Sequence, residues 1–159
     1  MQRKPIIGVI GSGRATRDGY AAAREIGRLI AEAGAVLVCG GLGGVMEGAS
    51  RGCAEAGGLV VGILPGPGAG EANPYVGIPV STNMGHARNI VIAHTAQSLI
   101  AVEGEYGTLS EMAIGLKLGR QVIALGNRFL LEGVVVASTP QEAVRLAMAG
   151  VRGPQSEAR

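Results

Sequence analysis

Short apolar, β-branched runs alternate along this chain with stretches of helical periodicity, and glycines cluster at several of the strand-to-helix junctions. That alternation constrains the fold more than any other feature. Ile6 to Ile10 is a continuous apolar run closed by Gly11-Ser12-Gly13, as expected of a strand buried on both faces. Asp18 offers an N-cap for the helix that follows, whose stripe is Ala22, Ile26, Leu29, Ile30 and Ala33, with Gly34 as its stop. The unit then repeats as a strand at 35–39, a glycine turn at 40–44, a helix at 45–56 and a strand at 59–64. Further strands are expected at 78–81, 98–102 and 122–125, with a weaker one at 134–136. Helices are expected at 84–96 and 109–118. Thr139-Pro140-Gln141-Glu142 opens a last helix with a capping box and a proline at its first position, Gly150 ends it, and 151–159 reads as a frayed polar tail.

Strands separated by helices of this length imply right-handed crossovers. The expected fold class is therefore α/β: a single domain over residues 1–150, with a mostly parallel sheet and helices on both faces. Ligands bind such sheets beyond the carboxyl ends of the strands, where the strand order switches. The segment Pro65–Pro74, the longest irregular stretch, is a candidate lid or ligand loop.

Composition narrows the function classes. Glycine makes up 28 of 159 residues, far above the roughly 7% of ordinary proteins, and it clusters without a collagen period. Tight turns and close backbone approach are the expected use. A net charge of +2, one Phe and no Trp argue against a nucleic-acid partner, which needs a basic stripe or a stacking platform. Cys39 and Cys53 form no zinc pattern and read as buried small hydrophobes, so no metal site is expected. With no apolar run of membrane length and no signal-like opening, a cytoplasmic protein without membrane partners is expected.

Four clusters carry the candidate chemistry, each at a strand-to-helix junction. Gly11, Ser12 and Gly13 suit either a tight turn or a phosphate held by backbone amides. In Gly40-Gly41-Leu42-Gly43-Gly44-Val45-Met46-Glu47, four glycines exceed what turning the chain requires, which favours phosphate contact. Glu47 and Arg51 are spaced for an ion pair on the helix surface. Gly104, Tyr106, Gly107, Thr108 and Glu111 form the third cluster; Thr108 and Glu111 fit a capping box, or an anion cradle with a carboxylate in reach of a ribose hydroxyl. The fourth holds Asn83, His86, Arg88 and Asn89; Arg88 can clamp a phosphate bidentately, whereas His86 and His94 lack the spacing of a metal pair.

Gly-Gly-Leu-Gly-Gly-Val-Met at 40–46, Arg88 fifteen residues before Glu103, and Gly107-Thr108-Leu109-Ser110-Glu111 resemble the LOG superfamily, often labelled lysine decarboxylase-like, over about residues 5 to 148. The resemblance implies a Rossmann-like domain and two candidate activities. One branch splits nucleoside 5′-monophosphates into base and ribose 5-phosphate. The other, the molybdenum cofactor carrier proteins, binds a phosphorylated pterin without turnover. Ala87-Arg88-Asn89, the run from Glu47 to Gly52 and the short length look closer to the carrier branch. A phosphorylated small-molecule ligand follows, molybdenum cofactor or a nucleotide, with no cofactor required for the fold. Carried over, the catalytic pair of an enzyme would be Arg88 and Glu111, and the phosphate cradle Gly43, Gly44, Gly107 and Thr108. Hydrolytic members have Pro-Gly-Gly where this chain has Glu103-Gly104-Glu105, and Arg-Lys where it has Arg88-Asn89. Two carboxylates facing a phosphate would oppose it by about 1 kcal/mol or more each. The family also implies a homodimer or homotetramer; the helices at 84–96 and 109–118 are our expected interface. No lysine is placed for a pyridoxal Schiff base.

Overall fold

The computed structural model describes residues 1–127 and 129–152. In chain order the elements are β1 (Ile6–Gly11), α1 (Arg17–Glu32), β2 (Val36–Cys39), α2 (Val45–Glu55), β3 (Val60–Leu64), β4 (Ile78–Ser81), α3 (Arg88–Thr95), β5 (Ser98–Val102), α4 (Tyr106–Lys117), β6 (Gln121–Leu125), β7 (Val135–Val136) and α5 (Pro140–Arg152). The seven strands form one sheet in the order β4-β3-β2-β1-β5-β6-β7, and every pairing is parallel. β1 lies between β2 and β5, with Ile6 opposite Val36 on one side and Gly11 opposite Val102 on the other. The chain order reverses there, so a crevice opens between the loops after β1 and β5.

Both faces of the sheet are covered over its inner strands, while the edge strands β4 and β7 are exposed. Ile7, Val9, Leu37, Ile100 and Ile123 pack under α1, α2 and α5, through Ile26, Ile30, Val45, Ala49, Ala143 and Ala147. Ile10, Val38, Leu99, Ala101 and Val122 pack under α3 and α4, through Ile92, Ala93 and Met112. The inner strands are therefore apolar at successive positions instead of alternating. Among the described residues no helix is long and apolar enough to cross a membrane.

α1 and α2 meet backbone to backbone. A Cβ on Gly27 would lie 1.9 Å from the Ala49 carbonyl oxygen, and one on Gly52 would lie 1.8 Å from that of Arg24. The buried stripe of α1 is accordingly Gly19, Ala23, Ile26, Gly27 and Ile30. The expected stripe is displaced by this contact: Ala22 and Leu29 flank it, and Ala33 is the exposed C-cap.

Several local expectations are corrected. α1 is capped by Thr16, whose hydroxyl accepts from Gly19 N at 3.0 Å, and Asp18 lies inside the first turn. Arg51 pairs with Glu55 at 2.8 Å in place of Glu47, and Arg24 holds the same carboxylate at 2.7 Å. The helix expected from Met84 starts with a 3-10 turn at Gly85–Ala87 before α3. α4 begins at Tyr106 with Glu105 as N-cap, so Thr108 and Glu111 form no capping box, and both are buried. At α5 the expected cap is present, Glu142 N donating to Thr139 Oγ1 at 3.1 Å. Gly150 does not stop that helix, since Val151 and Arg152 extend it; the rest of the expected tail, 153–159, lies outside the described residues.

Candidate functional site

A cavity of about 250 Å³ occupies the crevice between the β1 and β5 loops. Gly11, Ser12 and Gly13 form one wall, and Glu105, Gly107, Thr108 and Glu111 the opposite one. Gly40, Met46, Arg88 and Asn89 close its floor and side, and His86 stands at its edge. Residues from all four sequence clusters are thus brought together. Gly41, Gly43, Gly44, Glu47, Gly104 and Tyr106 do not line it, and neither does any residue of 65–74.

Packing explains most of the glycine surplus at 40–44. Gly41 and Gly44 have φ of +75° and +66°, and a Cβ on Gly44 would lie 2.2 Å from the Ser12 carbonyl oxygen. Gly40 leaves room for the Arg88 guanidinium, 2.8 Å from where its Cβ would be. By contrast, a Cβ on Gly13 or Gly107 would meet nothing within 4 Å. Those two present bare backbone to open space at the cavity wall, which is what a ligand approaching the main chain needs.

Arg88 is 7% exposed, and the chain's own polar groups hold its plane. Its Nε donates to the Ile63 carbonyl at 2.9 Å, Nη1 to Asn89 Oδ1, and Nη2 to the Gly40 carbonyl at a long 3.4 Å. Asn89 therefore braces the guanidinium while also lining the cavity. No carboxylate lies within ion-pair distance of Arg88 among the described residues. Glu111 acts on the guanidinium only from beyond ion-pair distance. A buried cation thus stands here without direct contact to an anion, a costly arrangement that an arriving anion would relieve.

Glu111 faces the same space, 7% exposed, and no hydrogen bond reaches its carboxyl group among the described residues. Burial raises its pKa to about 8, against the opposing pull of Arg88. At neutral pH the group is mostly a neutral acid, able to donate as well as accept. Between the ordinary value of 4.5 and about 8 the folded chain keeps this proton and the unfolded chain loses it. Stability from this group is therefore complete below pH 4.5 and falls as pH rises to about 8. Glu111→Gln is expected to remove that decline, gaining on the order of 4 kcal/mol on the wild type between pH 4.5 and 9. Urea unfolding at both pH values would show it; equal losses in both proteins would mean that Glu111 ionises freely in the fold.

The two glutamates that depart from the hydrolytic pattern part company. Glu103 turns away from the cavity, its carboxylate accepting from the Thr16 amide at 3.1 Å and from the Thr16 hydroxyl. Glu105 lines the cavity. The helix it begins carries no side-chain cap, leaving the amides around Gly107 and Thr108 to the cavity side. α2 is likewise uncapped by a side chain, though Val45 N donates to the Ser12 carbonyl at 2.9 Å. The Ser12 hydroxyl is taken up within its own turn by Arg14 N and O, at 3.0 and 2.9 Å. Sequence reasoning assigned His86 no role, and it placed Gly40 in the glycine cluster expected at a phosphate. The only local signal for His86 is its place two residues before Arg88.

The family model for SLOG cluster4 matches residues 4–151. The chain belongs to the SLOG cluster4 family. This SLOG chain is 49% identical over 138 residues to an uncharacterized protein of Archaeoglobus fulgidus, covering 87% of the chain and 91% of that relative. Its fold matches the molybdenum cofactor binding protein of Rippkaea orientalis with a TM-score of 0.89 and 39% identity, over 94% of this chain and 98% of that one. The molybdenum cofactor carrier protein of Chlamydomonas reinhardtii matches with a TM-score of 0.85 and 33% identity, over 93% and 99%. The likeness to the LOG superfamily, on its carrier-like side, is thus established along with the Rossmann-like α/β fold.

Cys39 and Cys53 are buried free thiols, and burial raises both pKa values, that of Cys53 to about 11. Among the described residues no group of three His, Cys, Asp or Glu could hold a metal ion.

Proposed function

We propose that this protein binds a small heterocycle carrying one phosphate, molybdenum cofactor or a nucleotide, and holds it without turnover. The observation that carries the reading is the buried Arg88 guanidinium, braced by Ile63, Asn89 and Gly40 and without a carboxylate partner, beside an uncapped helix N-terminus in a cavity at the switch point. A phosphate placed there would meet the helix-end amides of Gly107 and Thr108 together with the arginine. The cavity volume of about 250 Å³ suits a single ring system with its phosphate better than a dinucleotide. The matched proteins named for binding or carrying molybdenum cofactor make that molecule the first ligand to try.

A second reading, nucleoside 5′-monophosphate phosphoribohydrolase, is favoured by one observation: Glu111, with a pKa of about 8, stands beside Arg88 in the cavity. Groups tuned in this way serve general acid–base chemistry. Against it, a neutral Glu111 gives little charge stabilisation to an oxocarbenium-like transition state.

The deciding experiment incubates the purified protein and Glu111→Ala with a panel of nucleoside 5′-monophosphates, following free base and ribose 5-phosphate. Calorimetry with molybdenum cofactor and with the same nucleotides runs in parallel. Binding without release of base is the expected result. Base released by the wild type and not by Glu111→Ala would make this a hydrolase. Neither binding nor release would sink both readings.

A further inference from the structure

A doubly wound fold that binds a dinucleotide places the pyrophosphate on the helix after its first strand. Here that position is filled from within the chain. The Glu103 carboxylate, from the β5–α4 loop, accepts from the amide and the hydroxyl of Thr16, the residue that caps α1. We infer that Glu103 determines specificity: by holding a fixed negative charge at the α1 N-terminus, it restricts the site to ligands with a single phosphate. The inference rests on the binding reading above and adds the class of ligand that is refused.

The carboxylate is placed by construction. Glu103 has φ of +52°, a left-handed backbone that non-glycine residues seldom adopt and that costs of order 1 kcal/mol or more. Its carbonyl is fixed by Asn127 Nδ2 at 2.6 Å. On the receiving side, a Cβ on Gly19 would lie 2.3 Å from the Glu103 carboxyl carbon, so the first turn of α1 has no side chain where the carboxylate rests.

The charges on the wall agree. Among the described residues lining the cavity, Arg88 is the one permanent cation, and Glu105 adds a carboxylate to the wall. One guanidinium and one set of helix-end amides suit one phosphate. A second phosphate extending past Gly13 to the α1 N-terminus would approach the Glu103 charge, and its natural amide partner at Thr16 is already engaged.

The test is calorimetric titration of the full chain with GMP and with GDP, since guanine presents the same amino-oxo pyrimidine edge as a pterin. The wild type is expected to favour GMP over GDP by roughly tenfold, the size of one partly screened like-charge contact near the protein surface. In Glu103→Gln and Glu103→Ala the GDP-to-GMP affinity ratio should rise by roughly tenfold. Thermal unfolding of each variant isolates the cap: a purely structural role for Glu103 lowers the midpoint and weakens both ligands together, leaving the ratio unchanged. That result, or equal affinities in the wild type, overturns the inference. Absence of GMP and GDP binding to the wild type instead strikes the binding reading itself, and the inference falls with it.

Discussion

Gly52→Ala is expected to lower the unfolding midpoint by roughly 10 °C, corresponding to a loss on the order of 3 kcal/mol for a chain of this size. The added methyl would sit 1.8 Å from the Arg24 carbonyl oxygen, and backbone cannot step aside as a side chain tip can. To admit it, α1 and α2 must separate, which also opens the contacts of Ile26, Ile30, Ala49 and Cys53 in the shared core. Gly27→Ala, 1.9 Å from the Ala49 carbonyl oxygen, should behave alike. Gly70→Ala is the control, since a Cβ there meets nothing within 4 Å and its φ is not positive. Thermal unfolding of the three variants measures the contrast. Equal midpoints would mean that the two helices do not meet through their backbones.

Arg88→Ala is expected to weaken binding of a phosphorylated ligand by roughly a hundredfold, about 3 kcal/mol. The loss combines the missing guanidinium with the Ile63 carbonyl and Asn89 amide that it leaves without their donor. Lysine should rescue little of it. A single ammonium cannot satisfy Ile63, Asn89 and Gly40 and still face a phosphate, whereas the guanidinium has five donors in a fixed plane. Calorimetry against the ligand bound by the wild type, with the unfolding midpoint as a check on folding, reads both variants. Retention of wild-type affinity in Arg88→Ala would place the anion elsewhere.

The strands were the most legible part of the chain, because each is a run of β-branched or small apolar residues bounded by glycine, proline or polar residues. The bounds of β4 and β5 agree with the sequence reading to the residue. Helix starts were less legible where the signals compete. Gly107-Thr108 reads as a cap, but α4 begins earlier because Glu105 takes the extended backbone of an N-cap. Glu103 as the partner of Thr16 could not be read at all, since the two lie 87 residues apart and meet only through the β1–β5 pairing. The same limit applies to the site. Glycine clusters locate the loops, but which of those glycines accommodate packing and which face open space depends on neighbours from other elements. Gly40 owes its identity to Arg88 and Met46, while Gly13 and Gly107 meet no neighbour there.

The placement of β1 between β2 and β5 has a consequence for how the protein is made. Synthesis delivers α1, α2 and the glycine turn at 40–44 early, as a helix pair on three strands. The far wall of the cavity, from Glu105 to Glu111, emerges only after β5. A nascent chain that has not reached that point carries the most glycine-rich motif of the sequence but only one bank of the crevice. On the proposed binding function, ligand capture is a late event in the birth of this molecule, and a bound ligand would certify that its two halves have closed on each other.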